Sequence, residues 1–152
     1  MNRFFREIVA ADFDALWAIE PRAYQFAWSQ QILRDCLNAR YPAWLMHDAE
    51  GTVMGYAFLS VGAGEAHLLN LAVAPEFQNR GVGRALLAYV LQKGEQMGLE
   101  RMFLEVRPSN HAAINLYDEA GCNEIGRRPG YYPAPNGTRE EAIVMAREYL
   151  GP

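Results

Sequence analysis

The chain has 152 residues, of which 51% are apolar and 21% charged, and its 14 basic and 18 acidic side chains give a net charge of −4. This length predicts one domain, covering 1–152, that buries about 70% of its unfolded surface, and no apolar run is long enough for a transmembrane helix. The acidic balance argues against nucleic acid as the main partner, and without the pattern of a signal peptide we expect a cytoplasmic protein with no membrane partner.

The first half of the chain predicts a strand, two helices and then a meander of three antiparallel strands. Asp12 and Ser29 are candidate N-cap residues for the two helices, and Pro21 is expected to end or kink the first of them. Polar turns separate the strands of the meander, as in hairpins. The expected strands cover 3–9, 43–47, 53–61 and 65–73.

The stretch 68–91 predicts a strand, a turn and a helix. An apolar run up to Val73 is typical of a strand covered on both faces. Gly81 and Gly83 lie where the turn tightens into a helix whose first N–H groups have no intrahelical partner. Because glycines let an anion approach that backbone, the turn predicts a phosphate or pyrophosphate site. Glycines that simply permit the turn are the alternative.

The rest of the chain adds helices to a mixed sheet, in the overall order βααβββαβαββ. This order predicts an α+β protein with three layers, α/β/α, and not a doubly wound parallel sheet. The expected elements are a helix from about 81 to 98, strand 101–106, a helix at 110–120, strands 123–128 and 142–147, and a loop at 129–137.

Polar side chains in this half are candidates for chemistry. Glu105 is a carboxylate inside an otherwise apolar strand, which is unusual unless it is paired or takes part in a reaction. A salt bridge, for example with Arg107, is the simpler alternative. Asn110 and Tyr117 lie on one helix face, about 10 Å apart. Taken alone, Asn110 is most simply an N-cap, and Tyr117 is most simply a half-buried aromatic.

The histidines and cysteines predict no further chemistry. Cys36 and Cys122 are far apart, match no metal-ligand spacing, and are expected to be buried, reduced thiols. His47, His67 and His111 show no arrangement that indicates a catalytic role. The sequence therefore predicts no metal.

Taken together, these motifs resemble the GCN5-related N-acetyltransferases (GNAT) in order and spacing. The run Gln78-Asn79-Arg80-Gly81-Val82-Gly83 is similar to the family's Gln-x-x-Gly-x-Gly acyl-CoA pyrophosphate loop. The segment 110–121 is similar to the family's Asn-x-x-Ala-x-x-Leu-Tyr-x-x-x-Gly signature. The resemblance implies the GNAT fold, with a mixed, mostly antiparallel sheet, and acetyl-CoA as cosubstrate.

Further segments resemble one branch of this family, the RimI-type bacterial ribosomal-protein alanine N-acetyltransferases. The resemblance extends over nearly the whole chain and implies a ribosomal protein N-terminus as substrate, the N-terminal alanine of small-subunit protein eighteen. The chain departs from the branch at Ala27, where proline is expected, and at Cys122, where an aromatic is expected. The similar segments are 26–29, 104–110, 127–133 and 141–145.

For the site, the resemblance implies direct acetyl transfer to a neutral α-amine. Glu105 matches the branch's general base, acting through water, and Tyr117 matches the general acid that donates to the departing thiolate, by full proton transfer or by a hydrogen bond. Tyr131 and Tyr132 either wall the acceptor groove or only cover the core. The residues implied to hold acetyl-CoA are Leu71, Ala72, Val73, Asn79, Arg80, Gly81, Val82, Gly83, Arg84 and Asn110.

Two alternative functions remain open. The same fold could acetylate a small amine, an amino acid or a lysine side chain, although the segment 127–132, with two arginines and two tyrosines, favours a protein N-terminus. A CoA-binding module without turnover is the second alternative, but such a module has no use for Glu105 or Tyr117. The sequence assigns no oligomeric state, and a monomer is assumed.

Overall fold

One seven-stranded sheet carries helices on both faces in the computed structural model, which describes residues 2–149. The helices are α1 (Phe13–Trp17), α2 (Glu20–Ala23), α3 (Gln30–Asn38), α4 (Val82–Gln96) and α5 (His111–Glu119). The strands are β1 (Phe4–Glu7), β2 (Ala43–His47), β3 (Val53–Gly62), β4 (Glu65–Val73), β5 (Arg101–Val106), β6 (Asn123–Pro133) and β7 (Arg139–Glu148). Among these helices, none is long and apolar enough to cross a membrane.

Two hydrophobic clusters attach helices to opposite faces of the sheet. Leu86 and Val90 of α4 are fully buried against one face, and Leu16 of α1 and Leu33 of α3 are fully buried against the other. Because side chains alternate along a strand, the residues of β3 divide between the two clusters. The result is the predicted three-layer α+β arrangement.

The strand order β1-β2-β3-β4-β5-β7-β6 contains one parallel pair, β4 and β5. Their pairing runs only from Glu65–Arg101 to His67–Phe103, although the strands continue to Val73 and Val106. A register shift against β3 leaves Leu69 as an extra residue in β4, and such a bulge increases strand twist. A cleft therefore opens in the middle of the sheet.

The predicted first helix is interrupted, so the structure has three helices before β2 where two were expected. α1 ends at Trp17, and Pro21 lies in the first turn of α2, a position where its missing N–H costs nothing. Asp12 occupies the N-cap position of α1 as predicted, but its side chain makes no capping hydrogen bond. Its carboxylate turns back toward β1, where it accepts hydrogen bonds from the Arg6 guanidinium and the Val9 N–H, each at 2.8 Å.

The predicted loop 129–137 was also partly wrong, because β6 continues to Pro133 and only 135–137 forms a short 3-10 turn. Arg128 pairs with Ala142 and Tyr132 with Glu140, so four steps along β6 match two steps along β7. Gly130, with φ of 58°, lies within the resulting bulge. This bulge brings the tyrosines of β6 to the cleft beside β5.

We expect Gly55→Ala to destabilise the protein by about 1–3 kcal/mol. A β-carbon at Gly55 would lie 2.7 Å from the carbonyl oxygen of Ala72, so the backbone of β3 or β4 would have to shift. Gly62→Ala, in the same strand, is the matched control, because nothing lies within 4 Å of its added β-carbon. Urea unfolding measures both variants, and equal midpoints for the two would contradict the expected steric conflict.

Candidate active site

The cleft between β4 and β5 leads into a cavity of about 610 Å³. Residues from α2, β4, β5, α5 and β6 line it, so the sheet opening and the bulge of β6 together form the site. The predicted site residues that line this cavity are Leu71, Val73, Gly83, Glu105, Asn110, Tyr117, Tyr131 and Tyr132.

A second groove of about 700 Å³ adjoins this cavity along α4 and α5. The cavity and the groove have lining residues in common, among them Leu71 and Val73 of β4, Gly83 and Asn110. Two residues implied by the family resemblance line neither space: Ala72 is buried in the core beneath α1 and α3, and Arg80 lies over the Phe77 ring. The predicted residues lining the groove are Leu71, Val73, Asn79, Gly81, Val82, Gly83, Arg84 and Asn110.

Glu105 lies at the centre of the cavity wall, with 6% of its side chain exposed. Its Oε1 accepts hydrogen bonds from Nε2 of His67 at 2.8 Å and from the Tyr131 hydroxyl at 3.0 Å. Its Oε2 is buried and has no hydrogen-bond partner within the described chain. Buried carboxylate oxygens are normally satisfied, so Oε2 keeps the capacity to accept a further hydrogen bond.

The environment of Glu105 favours its ionised form. Burial raises the pKa of the carboxyl group, but the hydrogen bond and charge interaction with His67, the Tyr131 hydroxyl and the nearby Arg128 outweigh burial and leave the pKa below its usual value. The suggested salt bridge with Arg107 is not formed, since Arg107 pairs with Glu140 at 3.4 Å. Glu105 is thus an anionic acceptor at neutral pH.

Tyr117 lines the same cavity from α5 and is 9% exposed. Burial, followed by the neighbouring Cys122, raises the pKa of its hydroxyl above the usual value, so the phenol stays protonated. Among residues 2–149 its hydroxyl has no hydrogen-bond partner, and the donor is therefore available to a ligand. Asn110 caps α5 as predicted, accepting from the Ala113 N–H at 3.1 Å.

The turn into α4 fits a pyrophosphate. Asn79 and Gly81 both adopt left-handed conformations, with φ of 61° and 78°, and the first N–H groups of α4 have no intrahelical acceptors. The Arg3 guanidinium binds the carbonyl oxygens of Arg80 and Gly81, at 2.5 and 3.2 Å. Gly83 lies where cavity and groove meet, and the absence of a side chain there keeps the passage open. The loop thus offers backbone N–H donors to an anion at the edge of the groove.

Part of the β4 edge is already engaged by the chain's own donors. The Tyr24 hydroxyl donates to the carbonyl oxygen of Leu71, and the Gln78 side-chain amide donates to that of Val73 at 3.2 Å. An acyl carbonyl is itself an acceptor, so what the strand can offer it along the cleft is its N–H groups.

Sequence reasoning missed His67, to which it gave no catalytic role. The short parallel pairing of β4 with β5 sets His67 beside Phe103. Glu105 follows Phe103 by two residues, so both side chains lie on the same face of β5, and His67 reaches Glu105 from there. A histidine directly before the apolar run of β4 was the available signal, but its partner depends on the register between strands, which sequence periodicity does not give.

Glu20, a further charged residue of the cavity wall, was also missed. Glu20, 1% exposed, accepts from the Tyr56 hydroxyl, the Asn70 amide and the Trp28 N–H. It therefore fixes the segment after α2 against the sheet. Within the described residues, no group of three or more His, Cys, Asp or Glu side chains is arranged to hold a metal ion.

Arg107 joins the two sides of the cavity mouth. Its guanidinium lies 4.9 Å from the Phe26 ring and 4.3 Å from the Tyr132 ring, and it donates to the carbonyl oxygen of Pro133 at 2.7 Å. Cation–π contacts of this kind are strongest where water is partly excluded. Arg107 thus holds the segment after α2 and the end of β6 at a fixed separation.

Comparisons with known proteins identify the family. A profile described as the Acetyltransferase (GNAT) family matches residues 2–122. The ribosomal protein bS18-alanine N-acetyltransferase of Escherichia coli (strain K12) is 41% identical over 135 residues, which cover 89% of this chain and 90% of that protein. The enzyme of the same name from Haemophilus ducreyi (strain 35000HP) is 38% identical over 139 residues, 91% of this chain and 95% of that protein.

The fold is also that of a solved relative. The crystal structure of the ribosomal-protein-S18-alanine N-acetyltransferase from Escherichia coli superposes with a TM-score of 0.90 at 37% identity, covering 99% of this chain and 97% of that one. This match confirms the predicted fold, with its mixed, mostly antiparallel sheet. The chain therefore belongs to the GNAT acetyltransferase family and is an N-acetyltransferase that uses acetyl-CoA.

Proposed function

We propose that this enzyme acetylates the N-terminal α-amine of ribosomal protein bS18, whose first residue is alanine, with Glu105 as the base. The observation that supports the proposal is the ionised carboxylate of Glu105, a residue that lines the cavity and whose buried Oε2 has no hydrogen-bond partner within the described residues. Two relatives, 41% and 38% identical over 89% and 91% of this chain, are named for that substrate. A ribosomal protein substrate places the reaction in the cytoplasm.

Removing a proton from the acceptor is the first requirement of the reaction. An N-terminal ammonium has a pKa of about 8, so a large share of it is charged at neutral pH and cannot attack. Glu105 Oε2 accepts the N–H of the amine, directly or through one water. Only the neutral amine has the lone pair for attack. As its N–C bond forms, the N–H becomes acidic and its proton moves to Glu105, so that a carboxylate of low pKa suffices as the base.

The remaining residues hold and activate the second substrate. Bound acetyl-CoA supplies an acetyl thioester at the cleft. N–H groups of β4 beside Leu71 and Val73 polarise the acyl carbonyl, while the turn from Asn79 to Arg84 binds the pyrophosphate and Asn110 lies beside the CoA chain. Tyr117 donates a hydrogen bond to the departing sulfur.

Aromatic side chains form much of the wall on the acceptor side of the cavity. Tyr131 and Tyr132 pack edge to face, with ring centroids 4.9 Å apart. Phe26 and Trp28 form the opposite wall. An anionic wall with Glu20 and Glu105 favours an amine over an acidic acceptor.

Turnover of acetyl-CoA, followed as free thiol, tests the proposal on peptides that carry the N-terminal sequence of bS18. We expect turnover with the free alanine N-terminus, and none when that α-amine is blocked. A panel of polyamines, free amino acids and a lysine-containing blocked peptide runs in parallel. Turnover on that panel alone would keep the acetyltransferase and discard the protein N-terminus as its acceptor.

A further inference from the structure

Phe26 and Tyr132 line the cavity from two separate segments of the chain. Phe26 lies between α2 and α3, and Tyr132 lies near the end of β6. Phe26 is 40% exposed and belongs to neither hydrophobic cluster of the described residues, so the core does not fix its ring. A contact at the cavity itself has to keep this ring in its position.

Arg107 makes that contact. Its guanidinium lies within cation–π distance of both rings, 4.9 Å from the centroid of Phe26 and 4.3 Å from that of Tyr132. The guanidinium is itself held, because Nη1 donates to the carbonyl oxygen of Pro133 at 2.7 Å and pairs with Glu140 at 3.4 Å. One fixed cation therefore ties the segment after α2 to the end of β6.

Arg107 lies where an acceptor peptide would leave the catalytic centre. It follows Glu105 by two residues at the end of β5, a separation of about 7 Å in extended chain. Both residues line the cavity, and Arg107 and Phe26 also line an adjoining hollow of about 600 Å³. An extended peptide advances about 3.3 Å per residue, so an acceptor whose amine is at Glu105 has its second or third residue beside Arg107.

We propose that Arg107 is a positioning residue for the acceptor peptide. It acts through Phe26 and Tyr132, whose rings it keeps at the separation that an extended chain requires. Without the guanidinium, nothing ties Phe26 to β6, and the peptide loses contacts with the cavity wall. None of these three residues lines the groove along α4 and α5, so the binding of acetyl-CoA is unaffected. The inference rests on the proposed function, because it takes a peptide as the acceptor.

Arg107→Met removes the charge and keeps a long side chain. We expect the KM for the alanine peptide to rise about tenfold, as the loss of partly desolvated cation–π contacts predicts, while kcat and the KM for acetyl-CoA stay within about twofold. Arg107→Lys keeps the charge but not the planar group, and its peptide KM should lie between the two. Arg101→Met is the matched control: Arg101 begins β5, pairs with Glu65 and Glu148, and should change none of these constants.

Phe26→Ala tests whether Arg107 acts through the ring. Residues that act together have effects that do not add, so the double variant should raise the peptide KM by less than the product of the two single effects. A full product would show that the two residues act independently and would overturn the inference. Thermal unfolding checks each variant, and Arg107→Lys with Phe26→Ala keeps the test available if Arg107→Met does not fold.

The kinetic constants separate this inference from the proposed function. An unchanged peptide KM in Arg107→Met would overturn the inference. So would an equal change in kcat or in the KM for acetyl-CoA, because that result indicates a general disturbance of the site. A wild-type enzyme that does not turn over the alanine peptide would defeat the proposed function itself, whereas an active one with the same peptide KM as Arg107→Met would defeat only the role of Arg107.

Discussion

Glu105→Gln should lower kcat by about 100- to 1,000-fold at pH 8, the range that loss of a general base produces. Glutamine has nearly the same shape, and its amide oxygen can keep the hydrogen bonds from His67 and Tyr131. Its NH₂ group would then occupy the position of Oε2 and present a donor where the amine needs an acceptor. We therefore expect the fold and the KM for acetyl-CoA to be retained while the chemical step is lost.

The measurement is steady-state thiol release on the alanine peptide, with thermal unfolding to confirm the fold. Glu124→Gln is the matched control, because Glu124 lies on the surface of β6 in an exposed pair with Arg127, and surface pairs of this kind contribute little. Its kcat should equal that of the unaltered enzyme. A Glu105→Gln variant with kcat within threefold of normal at pH 8 would remove Glu105 from the role of base.

Local signals in the sequence predicted those parts of the fold that depend on local chemistry. Ser29 and Asn110 cap α3 and α5 through hydrogen bonds to the N–H three residues on, as their residue types predict. β5 begins and ends where the alternation of side chains placed it, at Arg101 and Val106. Gly98, with φ of 74°, follows the end of α4, as expected of a helix-terminating glycine.

Other features depend on contacts between distant segments, and the sequence could not predict them. Asp12 has the residue type of a helix cap, but an arginine six residues earlier offers its carboxylate a charged partner. A Pro-Gly pair at 129–130 indicates a loop, yet β7 holds this segment as a bulged strand. In both cases a tertiary contact outweighs the local preference, which is usual for weak local signals.

The candidate site shows the same division. Motif resemblance identified Glu105 and Tyr117, and the structure brings them to one cavity. The groups that control Glu105 came from elsewhere: His67 through the three-residue pairing of β4 with β5, and Tyr131 through the bulge of β6. Glu20 finds its donors up to 50 residues away in the chain. Such partners follow from the folded geometry and not from spacing.

Tyr117→Phe should lower kcat by about 10- to 100-fold, because a hydrogen bond to a charged group contributes about 1.5–3 kcal/mol. Full proton transfer to the thiolate would be uphill, since a CoA thiol ionises near pH 8.5 and burial raises the pKa of Tyr117 above its ordinary value. A hydrogen bond to the departing sulfur is the role that this environment favours. Phenylalanine fills the same buried space, so stability should not change.

Pre-steady-state and steady-state thiol release measure this effect, together with the KM for acetyl-CoA, which should stay within threefold. Tyr89→Phe is the matched control, because Tyr89 stacks on Phe5 at 4.1 Å and lies outside the cavity. An unchanged kcat in Tyr117→Phe would remove Tyr117 from the chemistry. A loss beyond about 1,000-fold would instead require full proton transfer, and the site would then have to lower the pKa of the phenol once acetyl-CoA is bound.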